Sequence, residues 1–173
     1  MVPAPERQAL VAEPVAEALR GLPDADRLGV AEIDPELADT AQFCAAYGSP
    51  PDAAANCVVV SGKRAGEARY AAVLVLATTR ADVNGAIRRR LDVRKASFVP
   101  MATAVELTGM AYGGITPIGV PADWPILVDS AVVACSELVI GSGLRGSKLF
   151  ATGETLRALP GVEVVDGLAK PVE

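Results

Sequence analysis

The chain contains no histidine in its 173 residues. Without imidazole there is no Ser-His-Asp or Cys-His nucleophile, and most zinc sites are excluded as well. Aromatic residues are scarce at 4%, so valine, alanine, leucine and isoleucine must supply the packing. Cysteine is limited to Cys44, Cys57 and Cys135. An odd number without C-x-x-C spacing, each beside apolar neighbours, reads as reduced packing thiols rather than a disulfide frame or a nucleophile. No apolar run approaches the roughly 20 residues of a spanning helix. The start, MVPAPERQALVAEP, lacks the basic residues and apolar stretch of a signal peptide. A soluble cytoplasmic protein is expected, with no metal and no cofactor.

What is present is apolar and acidic. Residues of hydrophobic type make up 51% of the chain, enough for a real core, and the length fits one domain. The formal net charge of -5 counts against indiscriminate nucleic-acid binding but leaves room for a local basic patch. Such a patch exists in RRRLDVRK, where Arg88, Arg89, Arg90, Arg94 and Lys95 crowd together. It reads either as a contact for a polyanion's phosphates or as a solvated helix face with acidic partners.

Periodicity organises the rest. Leu10, Val11, Val15 and Leu19 fall at helical spacing across residues 5–20, interrupted by Pro14. RLGVAEI predicts a strand, and DPELADTAQFCAAYG a helix from near Asp39 to Gly48. NCVVVSG and ARYAAVLVLATT flank the polar KRAGE and predict a hairpin. RADVNGAIRRRLD predicts a helix capped by Asp82, and MATAVELTGM a second closed by Gly109. Strands are expected at KASFV, WPILVDS, ELVIGSG, SKLFA and GVEVVDG, with a short helix at TGETLRAL. Hairpin-paired strands with irregularly inserted helices imply an α+β fold with a mixed sheet. Residues 1–26 are expected to form an N-terminal helix and loop, ahead of a domain over 27–173.

The unusual segment is YGGITPIGVP, Tyr112 to Pro121, with three glycines and two prolines in ten residues. Glycine allows backbone approaches that a Cβ forbids, and proline stiffens the chain. The segment is either a structural corner or a rigid loop presenting bare backbone to a ligand. IGSGLRGS, Ile140 to Ser147, is a second glycine-bearing turn; Gly141 and Gly143 allow its amides to face a polar ligand, or it is a plain β-turn. It lacks the Gly-Lys-Ser/Thr order of a nucleotide-binding P-loop. Ser142 and Ser147 have no base beside them to make a nucleophile. Asp129, ending the LVDS strand, either positions a ligand or water or caps the next turn. Thr116 either bonds a ligand or braces its own bend. Trp124 beside Pro125 reads as a packing anchor.

Taken in order, GGITPIG, LVDS and IGSGLRGSK resemble the YbaK/ProX family of trans-editing aminoacyl-tRNA deacylases, relatives of the editing insertion of bacterial prolyl-tRNA synthetases. The resemblance runs from about Arg27 to Asp166 and is sharpest at Gly114, Pro117 and Gly119. It implies a single α+β domain with a mixed, strongly curved sheet, flanking helices and a pocket lined by the glycine loop. It implies hydrolysis of the ester on the terminal adenosine of a mischarged tRNA by backbone amides, water and substrate groups. Gly113, Gly114, Thr116, Asn56 and Asp129 are then the expected catalytic set, and Ile115, Pro117, Gly119, Gly141, Ser142 and Gly143 the substrate-binding set. The basic patch would meet the acceptor end, and an aminoacyl-tRNA synthetase is a further candidate partner.

One position departs from the family. Its usual lysine at the start of the central strand is replaced in AANCVVVSG by Asn56, a neutral amide. Either Asn56 orients the substrate, or Lys63 or Lys95 reaches the pocket, or hydrolysis is lost. A non-catalytic aminoacyl- or nucleotide-binding module and a small-molecule ester or thioester hydrolase are the competing functions.

Overall fold

The computed structural model describes residues 1–172. In chain order the elements are β1 (Val2–Pro3), α1 (Glu13–Arg20), β2 (Gly29–Glu32), α2 (Thr40–Tyr47), β3 (Ala55–Arg64) and β4 (Glu67–Leu76). There follow β5 (Thr79–Ala81), α3 (Arg88–Leu91), β6 (Ala96–Phe98), α4 (Met101–Thr108), β7 (Ile126–Asp129) and α5 (Ser130–Val133). The chain ends with β8 (Leu138–Gly141), β9 (Ser147–Ala151), α6 (Gly153–Arg157), β10 (Val162–Val165) and β11 (Ala169–Pro171).

The strands form two main sheets. One has the order β10-β7-β4-β3-β6, the other β1-β2-β9-β8, and β11 pairs with β5 apart from both. In the larger sheet β4, β7 and β10 pair in parallel while β3 alone runs the other way, antiparallel to both β4 and β6, so the sheet is mixed as the hairpin pattern predicted. The β3–β4 turn places Ala65 and Gly66 at positive φ, the geometry of a two-residue hairpin loop. From Ala71 to Val75, β4 is apolar on both faces because it is covered on both. Ala72 and Leu74 join the main core, and Ala71, Val73 and Val75 a second core beneath Ile87 and Leu91. Each fully buried Val or Leu contributes roughly 1.5–3 kcal/mol of apolar burial.

The N-terminal segment is part of the same core. Val11, Val15 and Leu19 are buried with Val128, Ile140 and Leu149. Pro14 sits in the first turn of α1 and starts the helix instead of interrupting it, since its missing N–H would be unpaired there anyway. Residues 4–10 wind as 3-10 turns.

The expected helix over 80–92 is also modified. Val83–Ile87 winds as a π turn, and only Arg88–Leu91 is regular. Asp82 causes this by folding its carboxylate back onto the Ala86 amide at 2.9 Å, where a Cβ at Gly85 would collide with it. That amide, with lesser help from Lys170 and the Gly85 amide, outweighs burial and lowers the Asp82 pKa. A carboxyl depressed in the folded state contributes stability above its unfolded pKa of about 3.9 and loses it as pH falls through the folded value. Asp82→Asn is therefore expected to be the less stable protein at pH 7, with the gap closing below about pH 3.9. Denaturant titrations at both pH values check this.

The short β1, β5, β11 and α5 carry no periodicity of their own and are fixed by their neighbours. Among the described residues no helix is long and apolar enough to cross a membrane.

Candidate functional site

A cleft of about 930 Å³ opens between α2, the start of β3, the β6–α4 corner and the two glycine loops. From the expected site it gathers Asn56, Gly113, Ile115 and Gly141. Asn56 stands near the start of β3, and its Oδ1 accepts a hydrogen bond from Thr40 Oγ1 at 2.5 Å. With the oxygen engaged, its amide nitrogen remains a donor. The Gly113 and Ile115 N–H groups have no acceptor among the described residues. Both residues line the cleft, and unengaged backbone amides are the kind of donor an ester carbonyl or oxyanion needs.

The bend is held by backbone-to-backbone contact. Gly143 N–H donates to the Gly114 carbonyl at 2.6 Å, and Ala111 N–H to the Gly143 carbonyl at 2.8 Å. A Cβ on Gly114 would lie 2.6 Å from the Leu144 oxygen, so the glycine is required by the neighbouring loop and not by a ligand. A valine at 114 would separate the loops instead of obstructing the ester.

Several expected site residues lie outside the cleft lining. Thr116 is 0% exposed, and its hydroxyl has no hydrogen-bond partner, so it neither faces a ligand nor braces the bend. Pro117 is buried, and Gly119 rests on the Pro14 carbonyl. Gly143 abuts Ala12. Ser142 is a buried hub whose hydroxyl bonds Ser147, which in turn donates to the Leu10 carbonyl. Asp129 caps α5, accepting from Ala131 N–H at 2.8 Å and, through its other oxygen, from Ala169 N–H at 3.0 Å. Its carboxylate is consumed by the fold. Trp124 is buried and stacks on Tyr70 at 5.3 Å, as a packing anchor does.

The basic residues behave in two ways. Arg88 is tied to the Asn84 and Arg94 carbonyls, and Arg90 pairs with Glu163. Arg89, Arg94 and Lys95 are exposed and without a carboxylate partner among the described residues. Lys95 precedes Phe98, a cleft residue on β6, by three positions, roughly 10 Å at the usual strand rise.

Neither Lys63 nor Lys95 lines the cleft; Lys148 does. Lys148 lies inside β9, 6% exposed, with Nζ donating to the Ala38 carbonyl at 2.8 Å and 5.5 Å from the Phe43 ring centre. Burial pulls its pKa down, Asp39 and Cys44 oppose that, and Arg145 adds to it. Alternation in SKLFA could have revealed it: Leu149 points to the main core, so Lys148 must face the opposite side with Phe150. Arg145 also lines the cleft, bonding the Tyr112 and Pro35 carbonyls.

The Cys57 thiol is not a ready nucleophile. Burial raises the Cys57 pKa to about 12 against a weaker lowering by the Val73 backbone. The cleft thus brings Asn56, Arg145 and Lys148 together with the glycine-loop residues Gly113, Ile115 and Gly141.

Similar folds are known. A scaffold used for computational epitope grafting is 24% identical over 93% of this chain and 97% of its own, with a TM-score of 0.77. A candidate trans-editing enzyme for prolyl tRNA synthetase is 24% identical over 92% and 99%, with a TM-score of 0.75. A hypothetical protein is 21% identical over 91% and 100%, with a TM-score of 0.76. No curated protein sequence matches the chain. The model of the aminoacyl-tRNA editing domain matches residues 34–159, which take in both glycine loops, Asn56 and Lys148. With most of its length matched by that model, the chain belongs to the aminoacyl-tRNA editing domain family.

Proposed function

We propose that this protein is a trans-acting deacylase that hydrolyses the ester of a mischarged aminoacyl-tRNA in the cleft, working in the cytoplasm. The observation that carries this is the pair of unengaged amides, Gly113 and Ile115, on residues that line a cleft large enough for an aminoacylated adenosine. Water adds to the ester carbon, the amides hold the developing oxyanion, and the carbon–oxygen bond to the ribose breaks. The proton given up by water passes to the departing ribose oxygen. Each well-placed oxyanion donor is worth roughly 100- to 1,000-fold in rate. Small apolar walls, including Ala41, Ala45, Val58 and Val99, favour a compact amino-acid side chain.

Because one similar structure is a candidate trans-editing enzyme for prolyl tRNA synthetase, mischarged proline tRNAs head the test panel. Loss of the aminoacyl group from a mischarged tRNA, with the correctly charged one spared, is the expected result. Binding without turnover of any charged tRNA would instead identify the non-catalytic module that Asn56 allows. Turnover of a small ester or thioester alone would identify the third reading.

In this reading the exposed Arg89, Arg94 and Lys95, which have no carboxylate partner among the described residues, meet the acceptor-stem phosphates. Arg89→Ala combined with Arg94→Ala is expected to weaken tRNA binding and to lower the slope of log K against log salt by about 0.7–0.9 for each phosphate no longer neutralised. An unchanged slope in filter-binding titrations removes the patch from the tRNA interface.

A further inference from the structure

We infer that Lys148 is a positioning residue that binds the phosphate on the 5′ side of the substrate's terminal adenosine, an inference that rests on the editing function proposed above. A lysine as deeply buried as this one, at 6% exposure, ordinarily has a carboxylate partner. Among the described residues Lys148 has none within ion-pair distance, and neither has Arg145. Lys148 is held by a carbonyl, at Ala38, and by the face of Phe43. Asp39 is close enough to influence it, but one oxygen of that carboxylate already caps α2 through the Ala41 and Gln42 amides. A net-acidic protein thus keeps two cations in one cleft wall without a bonded anion.

The substrate's own charges say what they await. At neutral pH the amino acid's α-amino group is cationic, and the ester, ribose and adenine are neutral. The phosphate is the anion at that end of the molecule. Lys148 and Arg145 approach from β9 and from the loop before it, and Lys148 is tied to Ala38, two residues before the Thr40 that holds Asn56 of β3. The cation therefore enters from another strand than the one whose family lysine is replaced by Asn56. Fixed between Ala38 and Phe43, its ammonium is pre-organised, so little side-chain freedom is lost on binding.

The test uses two non-hydrolysable ligands, 3′-aminoacylamino-3′-deoxyadenosine with and without a 5′-phosphate, measured by calorimetry alongside deacylation of the tRNA panel. The wild-type protein is expected to bind the phosphorylated ligand at least about tenfold more tightly, the usual effect of a charge-assisted hydrogen bond. Lys148→Met should erase that preference, leave affinity for the unphosphorylated ligand intact, and raise KM for tRNA more than it lowers kcat. Lys148→Arg should restore part of the preference. Inorganic phosphate should compete only weakly, since it lacks the adenosine contacts.

Several outcomes overturn the inference. One is a phosphate preference that survives in Lys148→Met; another is equal loss of both ligands, the mark of a merely structural lysine. A wild-type protein that deacylates tRNA yet ignores the 5′-phosphate sinks the inference and leaves the editing function standing. A wild-type protein that neither binds the ligands nor deacylates any tRNA removes both.

Discussion

Gly141→Ala is expected to lower kcat/KM for deacylation by roughly 100-fold, the effect of misplacing an oxyanion donor. The added methyl would stand 2.5 Å from the Gly114 carbonyl oxygen and 2.6 Å from that of Ile115. Both are backbone atoms, so no side chain can rotate aside to admit it. The bend must move, and it carries the Gly113 and Ile115 amides on either side of the contact. A displacement of a few tenths of an ångström is enough to spoil the alignment of short hydrogen bonds. Gly146→Ala is the control, because its methyl meets only Pro35 Cγ at 3.7 Å. Single-turnover deacylation of both variants, with thermal melts to confirm folding, makes the comparison. A folded Gly141→Ala protein with undiminished turnover would mean that the amides of this bend do not bind the reacting ester.

Thr116→Val is expected to stabilise the protein by about 1–3 kcal/mol, the cost of a buried hydroxyl left without a partner. For a chain of this size that is a rise in Tm of about 2–4 °C for each kcal/mol. Most threonine-to-valine changes in a core remove a hydrogen bond, but the Thr116 hydroxyl makes none among the described residues, and the residue is 0% exposed. The methyl that replaces it occupies nearly the same volume, so packing is preserved. Because Thr116 does not line the cleft, kcat/KM should stay within about twofold of the wild-type value, well short of the ~10²-fold loss expected for a removed catalytic donor. A tenfold fall in kcat without a change in stability would return the hydroxyl to the chemistry.

Both predictions depend on contacts that local patterning does not encode. The hairpin β3–β4 is legible because its strands are Val-rich and its turn is polar with a glycine. The α2 limits are legible because Asp39 caps one end and Gly48 adopts the left-handed conformation at the other. Asn56, Gly113, Ile115 and Gly141 line the cleft. The motif glycines and prolines mislead wherever a shared motif is equated with a shared surface. Gly114, Pro117 and Gly119 serve the packing of one loop on another and on α1, so their role is architectural. Asp129 shows the same ambiguity resolved by distance, since the Ala169 amide that claims its second oxygen is 40 residues away in sequence.

From sequence alone came the absence of imidazole chemistry, the apolar α+β pattern and the hairpin, because each depends on composition or on neighbours within a few positions; the family came instead from a resemblance spread over GGITPIG, LVDS and IGSGLRGSK. Tertiary structure decided which donors are free, which are spent, and that Lys148 from β9 lines the cleft while Lys63 of β3 does not. The physical reason is that a hydrogen bond or a buried charge is defined by its partner, and here the partners stand far apart along the chain: Lys148 finds Ala38 across 110 residues.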